Sequence, residues 1–171
     1  MATSLFVGGA RSGKSRLAQR AMEALPGPWT YVATAQAWDD EMTDRIARHR
    51  ADRGPGWRTV ECPLNLAQTI RTVEGPVLVD CLTLWLTNIM LGGHDVARHS
   101  DDLIAAIGAA THPLRLVSNE VGLGIVPEHP LGREFRDEAG RLNQAVAGAV
   151  DRTWFVVAGM VLPLERFDPT A

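Results

Sequence analysis

Short apolar runs recur along the chain and alternate with longer stretches in which apolar residues return every three or four positions. The runs have the length of single β-strands. Most of them are apolar at every position, which is typical of strands that are buried on both faces of a sheet. They predict strands at residues 4–7, 30–35, 76–81, 114–119 and 153–158.

The stretches between these runs have helical periodicity. They predict helices at residues 15–25, 39–52, 64–73, 82–91, 101–110 and 130–150. The last is the clearest, because Leu131, Phe135 and Leu142 fall on one side of it. Strands that alternate with helices predict an α/β fold, in which helices flank a mostly parallel β-sheet.

Length, composition and net charge limit the number of domains and the class of ligand that we expect. The chain has 171 residues, a length that can bury a core without disulfides. No repeat, low-complexity tract or linker divides it, so we expect residues 1–171 to form a single domain. The formal net charge is −3 and the pI is about 5.9, which favours small-molecule chemistry over nucleic-acid binding.

The two cysteines and the first residues of the chain indicate the cellular compartment in which the protein is expected. Cys62 and Cys81 do not form a C-x-x-C pair, and the first predicted strand begins too early to leave room for a secretory leader. We therefore expect a reduced, cytoplasmic protein. The apolar runs are far shorter than the ~20 residues that cross a bilayer, so we expect no membrane insertion.

The segment GGARSGKS, residues 8–15, joins the first predicted strand to the first predicted helix. It matches the pattern G-x-x-x-x-G-K-[ST] in the context that this pattern requires. In such a loop, backbone N–H groups and the positive end of the helix bind phosphate oxygens. Lys14 would reach the β- and γ-phosphates, and Ser15 would hold Mg²⁺. The alternative is a glycine-rich turn that only caps a helix, and the complete motif favours nucleotide binding.

Polar residues follow three other predicted strands, at the edge where ligands bind in sheets of this kind. Asp80 ends an apolar strand, as does the carboxylate that assists Mg²⁺ in phosphate-loop enzymes; its alternative role is to cap the helix that follows. Thr34 and Gln36 end a second strand, and Asn119 and Glu120 end a third. Plain turns are the alternative for these last two pairs.

The segment at residues 39–57 has acids first and arginines later, which complements the dipole of a helix. Met42, Ile46 and His49 fall on one side of that predicted helix, so His49 points inward or into a cleft. One interpretation is a hydrogen-bonded boundary histidine. The other is a nucleophile, because a neutral imidazole nitrogen can attack phosphorus while nearby arginines neutralise phosphate oxygens. The residue pattern leaves both open.

Four segments together resemble the bifunctional adenosylcobinamide kinase/adenosylcobinamide-phosphate guanylyltransferase family of cobalamin biosynthesis. They are GGARSGKS, ATAQAWDDEMTDRIARHR, WRTVE and NEVGLGIVPEHPLGREFRDEAGRLNQ. The resemblance implies a P-loop NTPase (RecA-like) fold with three layers, and a homotrimer. It also implies two reactions. ATP or GTP first phosphorylates adenosylcobinamide; GMP from GTP is then transferred to that phosphate through a GMP-histidine intermediate, with release of pyrophosphate.

The resemblance also implies roles for individual residues. His49 and Lys14 match catalytic positions, with His49 as the guanylylated histidine, and Ser15 and Asp80 match the Mg²⁺ site. The implied nucleotide-binding residues are Gly8, Gly9, Ala10, Arg11, Ser12, Gly13, Lys14, Ser15, Thr34, Ala35, Gln36, Arg50, Ala51, Asp52, Arg53, Glu61 and Asp80. Two positions depart from the family's pattern: Ala35 stands where serine is common, and Asp80 stands where glutamate is frequent. The shorter Asp80 is expected to hold Mg²⁺ through water.

The implied partners are adenosylcobinamide and its phosphate, and the loop Asn119–Pro127 is the candidate that receives them. His94 and His99 lack a third ligand and make a poor zinc site. A regulatory GTP switch is disfavoured because no N-K-x-D-like segment is present. A nucleic-acid ATPase is disfavoured by the net acidity and the few aromatic residues. A small-molecule P-loop kinase without the guanylyl transfer stays as the alternative.

Overall fold

A computed structural model describes residues 3–36 and 54–167 of the chain. In this part, seven strands form one sheet. They are β1 (Thr3–Gly8), β2 (Trp29–Ala33), β3 (Trp57–Glu61), β4 (Val77–Asp80), β5 (Leu114–Asn119), β6 (Arg152–Val157) and β7 (Met160–Leu164). The strand order is β3-β2-β4-β5-β1-β6-β7. Strands β1 to β6 are parallel, and β7 pairs antiparallel with β6.

Five helices lie within the described ranges. They are α1 (Lys14–Glu23), α2 (Leu66–Thr72), α3 (Leu82–Leu91), α4 (Val96–Gly108) and α5 (Pro130–Ala149). None of them is long and apolar enough to cross a membrane. The helix predicted at residues 39–52 lies outside the described residues.

The core has two parts, one on each face of the sheet. Alternate residues of a strand face opposite sides, so Val79 packs with the helices α2 to α5 while its neighbour Leu78 packs with α1. On the α1 side, the buried residues Ala18 and Met22 cover Phe6. Helix, sheet and helix therefore form three layers, which confirms the predicted α/β fold with a mostly parallel sheet.

The structure differs from the prediction at the two edges of the sheet. Strand β3 was not predicted, because its sequence WRTVE mixes polar and apolar residues, as an edge strand exposed on one side does. Strand β7 was not predicted either, since only Ala158 and Gly159 separate it from β6 and the apolar run continues across them. Helix α4 begins at Val96 rather than residue 101, because the Asp95 side chain caps it by accepting a hydrogen bond of 3.0 Å from the Arg98 N–H.

Candidate active site

The phosphate loop, residues 8–15, runs from the end of β1 into the first turn of α1. Its path requires two residues with positive φ, Arg11 at 56° and Gly13 at 95°. Glycine adopts this region without a steric cost, and Gly13 allows the chain to turn directly into the helix as its N-cap. The loop therefore presents the N-terminal end of α1, the end that attracts anions, at the edge of the sheet.

Lys14 is buried, and its ammonium group donates a hydrogen bond of 3.0 Å to the carbonyl oxygen of Gly9. This bond holds the side chain across the loop. Ser12 is also buried, and its hydroxyl has no hydrogen-bond partner among the described residues. A buried hydroxyl without a partner costs free energy unless a ligand satisfies it. A phosphate oxygen beside Lys14 would accept from both groups, so the loop fits a nucleotide phosphate.

Neighbouring backbone packs tightly against the phosphate loop. A Cβ atom added to Gly8 would lie far inside van der Waals contact with the carbonyl oxygen of Val156 on β6. The turn between β6 and β7 also contacts the loop, where the Gly159 N–H donates a hydrogen bond of 2.8 Å to the Ser12 carbonyl oxygen. Gly8 is therefore needed for space as well as for its place in the motif.

The carboxyl ends of the parallel strands place several predicted site residues along one edge. Ala33 on β2 pairs with Glu61 on one side and with Asp80 on the other. On the next strands, Gly8 pairs with Asn119. The strand register thus brings the two carboxylates and the phosphate loop to the same edge of the sheet, which is where ligands bind in folds of this class.

Asp80 is oriented by Tyr31, whose hydroxyl donates a hydrogen bond of 3.0 Å to the Oδ2 atom of Asp80. The helix α3 that follows has Cys81 as its N-cap residue, and that side chain makes no capping hydrogen bond. The described contact of the Asp80 carboxylate is therefore with the neighbouring strand rather than with the N-terminus of α3.

Thr34 is completely buried, and its hydroxyl both donates and accepts a hydrogen bond within the protein. The hydroxyl donates to the Cys81 carbonyl oxygen at 2.7 Å and accepts from the Cys81 N–H at 2.8 Å. The Asn88 side chain donates to the Thr34 carbonyl oxygen at 2.8 Å. These bonds fix the end of β2 against the start of α3, and they leave Ala35 and Gln36 half-buried at the edge.

A second set of buried polar contacts fixes the end of β5. The Asn119 side chain donates to the Thr83 hydroxyl at 2.6 Å, and the Thr83 hydroxyl lies 3.0 Å from the Cys81 sulfur. Burial raises the pKa of the Cys81 thiol, and the negative charge of Asp80 adds to the rise, while the positive charge of Lys14 opposes it. Asp80 and Lys14 therefore act in opposite directions on the pKa of the same thiol.

The oxygen atoms at this edge fit a magnesium ion. Mg²⁺ prefers hydroxyl, carboxylate, phosphate and water oxygens, and it keeps several waters when it binds with a nucleotide. Ser15 supplies a hydroxyl at the start of α1, and Asp80 supplies a carboxylate. Within residues 3–36 and 54–167, no group of three or more His, Cys, Asp or Glu side chains could hold a metal, and a nucleotide-bound Mg²⁺ does not need one.

Part of the predicted site lies outside the described residues. This part comprises His49, Arg50, Ala51, Asp52 and Arg53. The remaining predicted residues lie on the phosphate loop or at the ends of β2, β3 and β4.

Sequence reasoning missed two contributors to the site, Tyr31 and Thr83. Each acts through a hydrogen bond to a residue far along the chain, so no local signal marks either one. It also missed the Ala158–Gly159 turn beside the phosphate loop. The glycine directly after an apolar run was the available signal for that turn.

Comparison with known proteins identifies close relatives of this chain. Residues 4–164 match the family model described as cobinamide kinase / cobinamide phosphate guanyltransferase. The bifunctional adenosylcobalamin biosynthesis protein CobP of Pseudomonas aeruginosa is 48% identical over 166 residues, which cover 94% of this chain and 96% of that protein. The bifunctional adenosylcobalamin biosynthesis protein CobU of Salmonella typhimurium is 43% identical over 179 residues, which cover 94% of this chain and 98% of that protein.

A solved structure also shares the fold. It comes from a structural study of a protein of Pyrococcus horikoshii OT3, with a TM-score of 0.54 over 99% of this chain and 88% of that one. The two sequences are only 8% identical, so this likeness bears on the fold alone. It agrees with the three-layer α/β arrangement described above.

Proposed function

This chain belongs to the cobinamide kinase / cobinamide phosphate guanyltransferase family, and on that premise we propose that one nucleotide site, built on the phosphate loop, serves both reactions of the family. The chain is a bifunctional kinase and nucleotidyltransferase of adenosylcobalamin biosynthesis. Its nucleotide substrates are ATP or GTP for the first reaction and GTP for the second. The observation that supports a nucleotide site here is the buried Lys14 in the phosphate loop, at the same edge of the sheet as Asp80.

In the kinase reaction, the hydroxyl oxygen of cobinamide attacks the γ-phosphorus. The bond from that phosphorus to the bridging oxygen breaks, the nucleoside diphosphate leaves, and the hydroxyl proton passes to solvent. This reaction needs positioning and charge neutralisation rather than a protein nucleophile. Lys14, the loop N–H groups and the Ser12 hydroxyl would bind the phosphate oxygens. A Mg²⁺ ion held by Ser15 and, through water, by Asp80 would neutralise further phosphate charge.

In the guanylyl transfer, we propose that His49 is the nucleophile. A ring nitrogen of His49 attacks the α-phosphorus of GTP, and pyrophosphate leaves. An oxygen of cobinamide phosphate then attacks the same phosphorus, the phosphorus–nitrogen bond breaks, and the imidazole is restored. The arginines at 50 and 53 would neutralise the phosphate oxygens, and Glu61 and Gln36 would contact the nucleotide. The family resemblance of residues 33–50 supports this assignment.

Three further expectations complete the proposal. The chain is a single nucleotide-binding domain over residues 1–171, it acts in the cytoplasm, and it assembles as a homotrimer. Sedimentation equilibrium tests the last point, with an expected mass three times the 18.6 kDa of one chain. A mass equal to one chain would contradict the trimer.

The function is tested by following both products with mass spectrometry. The purified chain is incubated with adenosylcobinamide, Mg²⁺ and either ATP alone or ATP with GTP. We expect adenosylcobinamide phosphate in the first reaction and adenosylcobinamide-GDP with pyrophosphate in the second. Formation of the phosphate alone under both conditions would favour the alternative, a small-molecule kinase without the guanylyl transfer.

A further inference from the structure

The loop that follows β5 lies directly beside the phosphate loop. Asn119 pairs with Gly8 in the sheet, and the N–H of the next residue, Glu120, donates a hydrogen bond of 3.0 Å to the Gly8 carbonyl oxygen. The first residue of the phosphate loop is therefore bonded to the start of this second loop. The start of the second loop therefore lies beside the loop that is expected to bind phosphates.

Both ends of this loop are anchored. At its start, the Glu120 carboxylate accepts a hydrogen bond of 2.6 Å from the Gly122 N–H, and the Asn143 side chain donates to the Asn119 carbonyl oxygen at 3.1 Å. At its end, the Arg133 guanidinium donates to the carbonyl oxygen of Pro127 at 3.0 Å. The backbone of the loop is thus fixed by hydrogen bonds to β1 and to two side chains of α5.

The side chains between these anchors are apolar; Val121 is half-buried against the core, and the others are exposed. We use the term apolar loop for residues 121–126, with the sequence VGLGIV. In it, Leu123 is 81% exposed, Ile125 is 97% exposed and Val126 is 56% exposed. Single exposed apolar residues are ordinary, but a contiguous group of them at the rim of a site indicates a binding surface. A Cβ atom added at Gly124 would meet nothing within 4 Å, so the surface is open.

Strand β7 also has exposed apolar residues, and Met160, its first residue, follows the turn beside the phosphate loop. Strand β7 begins at the turn near the phosphate loop and runs antiparallel to β6. It therefore leads away from the site toward the opposite edge of the sheet. The apolar loop, by contrast, follows the carboxyl end of β5, and the residue before it is bonded to Gly8 of the phosphate loop.

We propose that the apolar loop binds the corrin macrocycle of the acceptor, and so holds its terminal hydroxyl or phosphate over the phosphate loop; this inference rests on the cobinamide-directed activity given above. The chemistry of the two surfaces matches. A corrin ring carries methyl groups around a flat macrocycle, together with amide side chains. Branched side chains of the apolar loop would cover the ring, and the exposed backbone at Gly124 would bond its amides.

The test is the double variant Leu123→Ser/Ile125→Ser. Both side chains are exposed in the free protein, so the variant should fold like the parent. Loss of one buried apolar contact corresponds to roughly one decade in affinity. We therefore expect the KM for adenosylcobinamide to rise about 10- to 100-fold, with kcat at saturation changed by less than about threefold, because the reacting groups are untouched. Equilibrium dialysis of cobinamide, followed by its visible absorbance, should show the same loss.

The matched control is Leu91→Ser/Phe167→Ser, which removes two exposed apolar side chains away from the phosphate loop. It should retain the parent KM. Affinity for GTP should be unchanged in both variants. A parent-like corrinoid KM and dialysis result in the loop variant would overturn the proposal while leaving the activity assigned. An equal loss of GTP affinity, or a changed sedimentation mass with an unchanged KM, would also overturn it. A parent chain inactive on cobinamide would overturn the activity itself, and the inference with it.

Discussion

The hydroxyl of Tyr31 donates a hydrogen bond of 3.0 Å to Oδ2 of Asp80, across the neighbouring strands β2 and β4. The tyrosine ring is itself fixed, because it is buried and meets Trp57 edge to face at a centroid distance of 6.2 Å. The acidic group that is proposed to assist Mg²⁺ is therefore held by a rigid neighbour.

The Asp80→Asn variant should need more Mg²⁺ for the kinase reaction, by about tenfold, because an amide attracts the hydrated cation less than a carboxylate does. Tyr31→Phe keeps the ring and loses the hydroxyl, so it should shift the requirement in the same direction by a few-fold at most. The measurement is the kinase rate as a function of Mg²⁺ concentration at saturating ATP. If both variants titrate like the parent, Asp80 has no part in binding the metal.

Lys14→Ala should lower both reaction rates by roughly 10²- to 10³-fold, because a positive charge at the transferring phosphate stabilises the transition state. The free energy of unfolding should change much less than the rates, because Lys14 lies in a loop at the edge of the sheet and not among the apolar side chains of the core. Arg20→Ala is the matched control, because it removes a charge from an exposed position of the same helix. Parent-like rates in the Lys14 variant would exclude the phosphate loop from the mechanism.

Gly8→Ala should destabilise the protein by about 1–3 kcal/mol, because the added methyl group meets the Val156 carbonyl oxygen and the two strands must separate. Gly9→Ala is the control, since an added Cβ there meets nothing within 4 Å. Urea unfolding of the two variants gives the comparison. Equal urea midpoints for the two variants would show that the space around Gly8 does not limit the stability of the fold.

Asp151 ties the start of β6 to the start of β1. Its carboxylate accepts hydrogen bonds from the Thr3 N–H at 2.7 Å and from the Thr3 hydroxyl at 3.1 Å, and these bonds lower the pKa of Asp151 below its ordinary value. A lowered pKa stabilises the folded state at pH values above the unfolded pKa of about 3.9. That contribution is lost as the pH falls through the folded pKa.

Asp151→Asn should therefore be less stable than the parent at pH 7, and the difference should shrink below about pH 4. Urea midpoints measured between pH 7 and pH 2 give the two curves. Asp101→Asn, at an exposed position of α4, is the control and should follow the parent. A constant difference across the whole range would show that the charge of Asp151 contributes nothing.

The centre of the sheet and the phosphate loop were predictable because their signals are local. The VLVD run of β4 is continuous, and the spacing of Gly8, Gly13 and Lys14 fits one backbone path. The contacts that orient the site were not predictable. Tyr31 and Asp80 are 49 residues apart, and Thr83 and Asn119 are 36 apart. Such pairs meet only if their strands become neighbours in the sheet. The order β2-β4-β5 cannot be predicted from the sequence of any single segment.

The central claim is that GMP is carried on His49, and GTP labelled at the α-phosphate tests it most directly. The protein alone, with Mg²⁺ and this GTP, should retain a label that is acid-labile and alkali-stable, as a phosphorus–nitrogen bond is. GTP labelled at the γ-phosphate should leave none. His49→Ala should lose the label and the guanylyl transfer yet keep some kinase activity, while the control His94→Ala, at an exposed position, should keep all three. A His49→Ala protein that still retains the α-label, or still forms cobinamide-GDP at the parent rate, would contradict the claim.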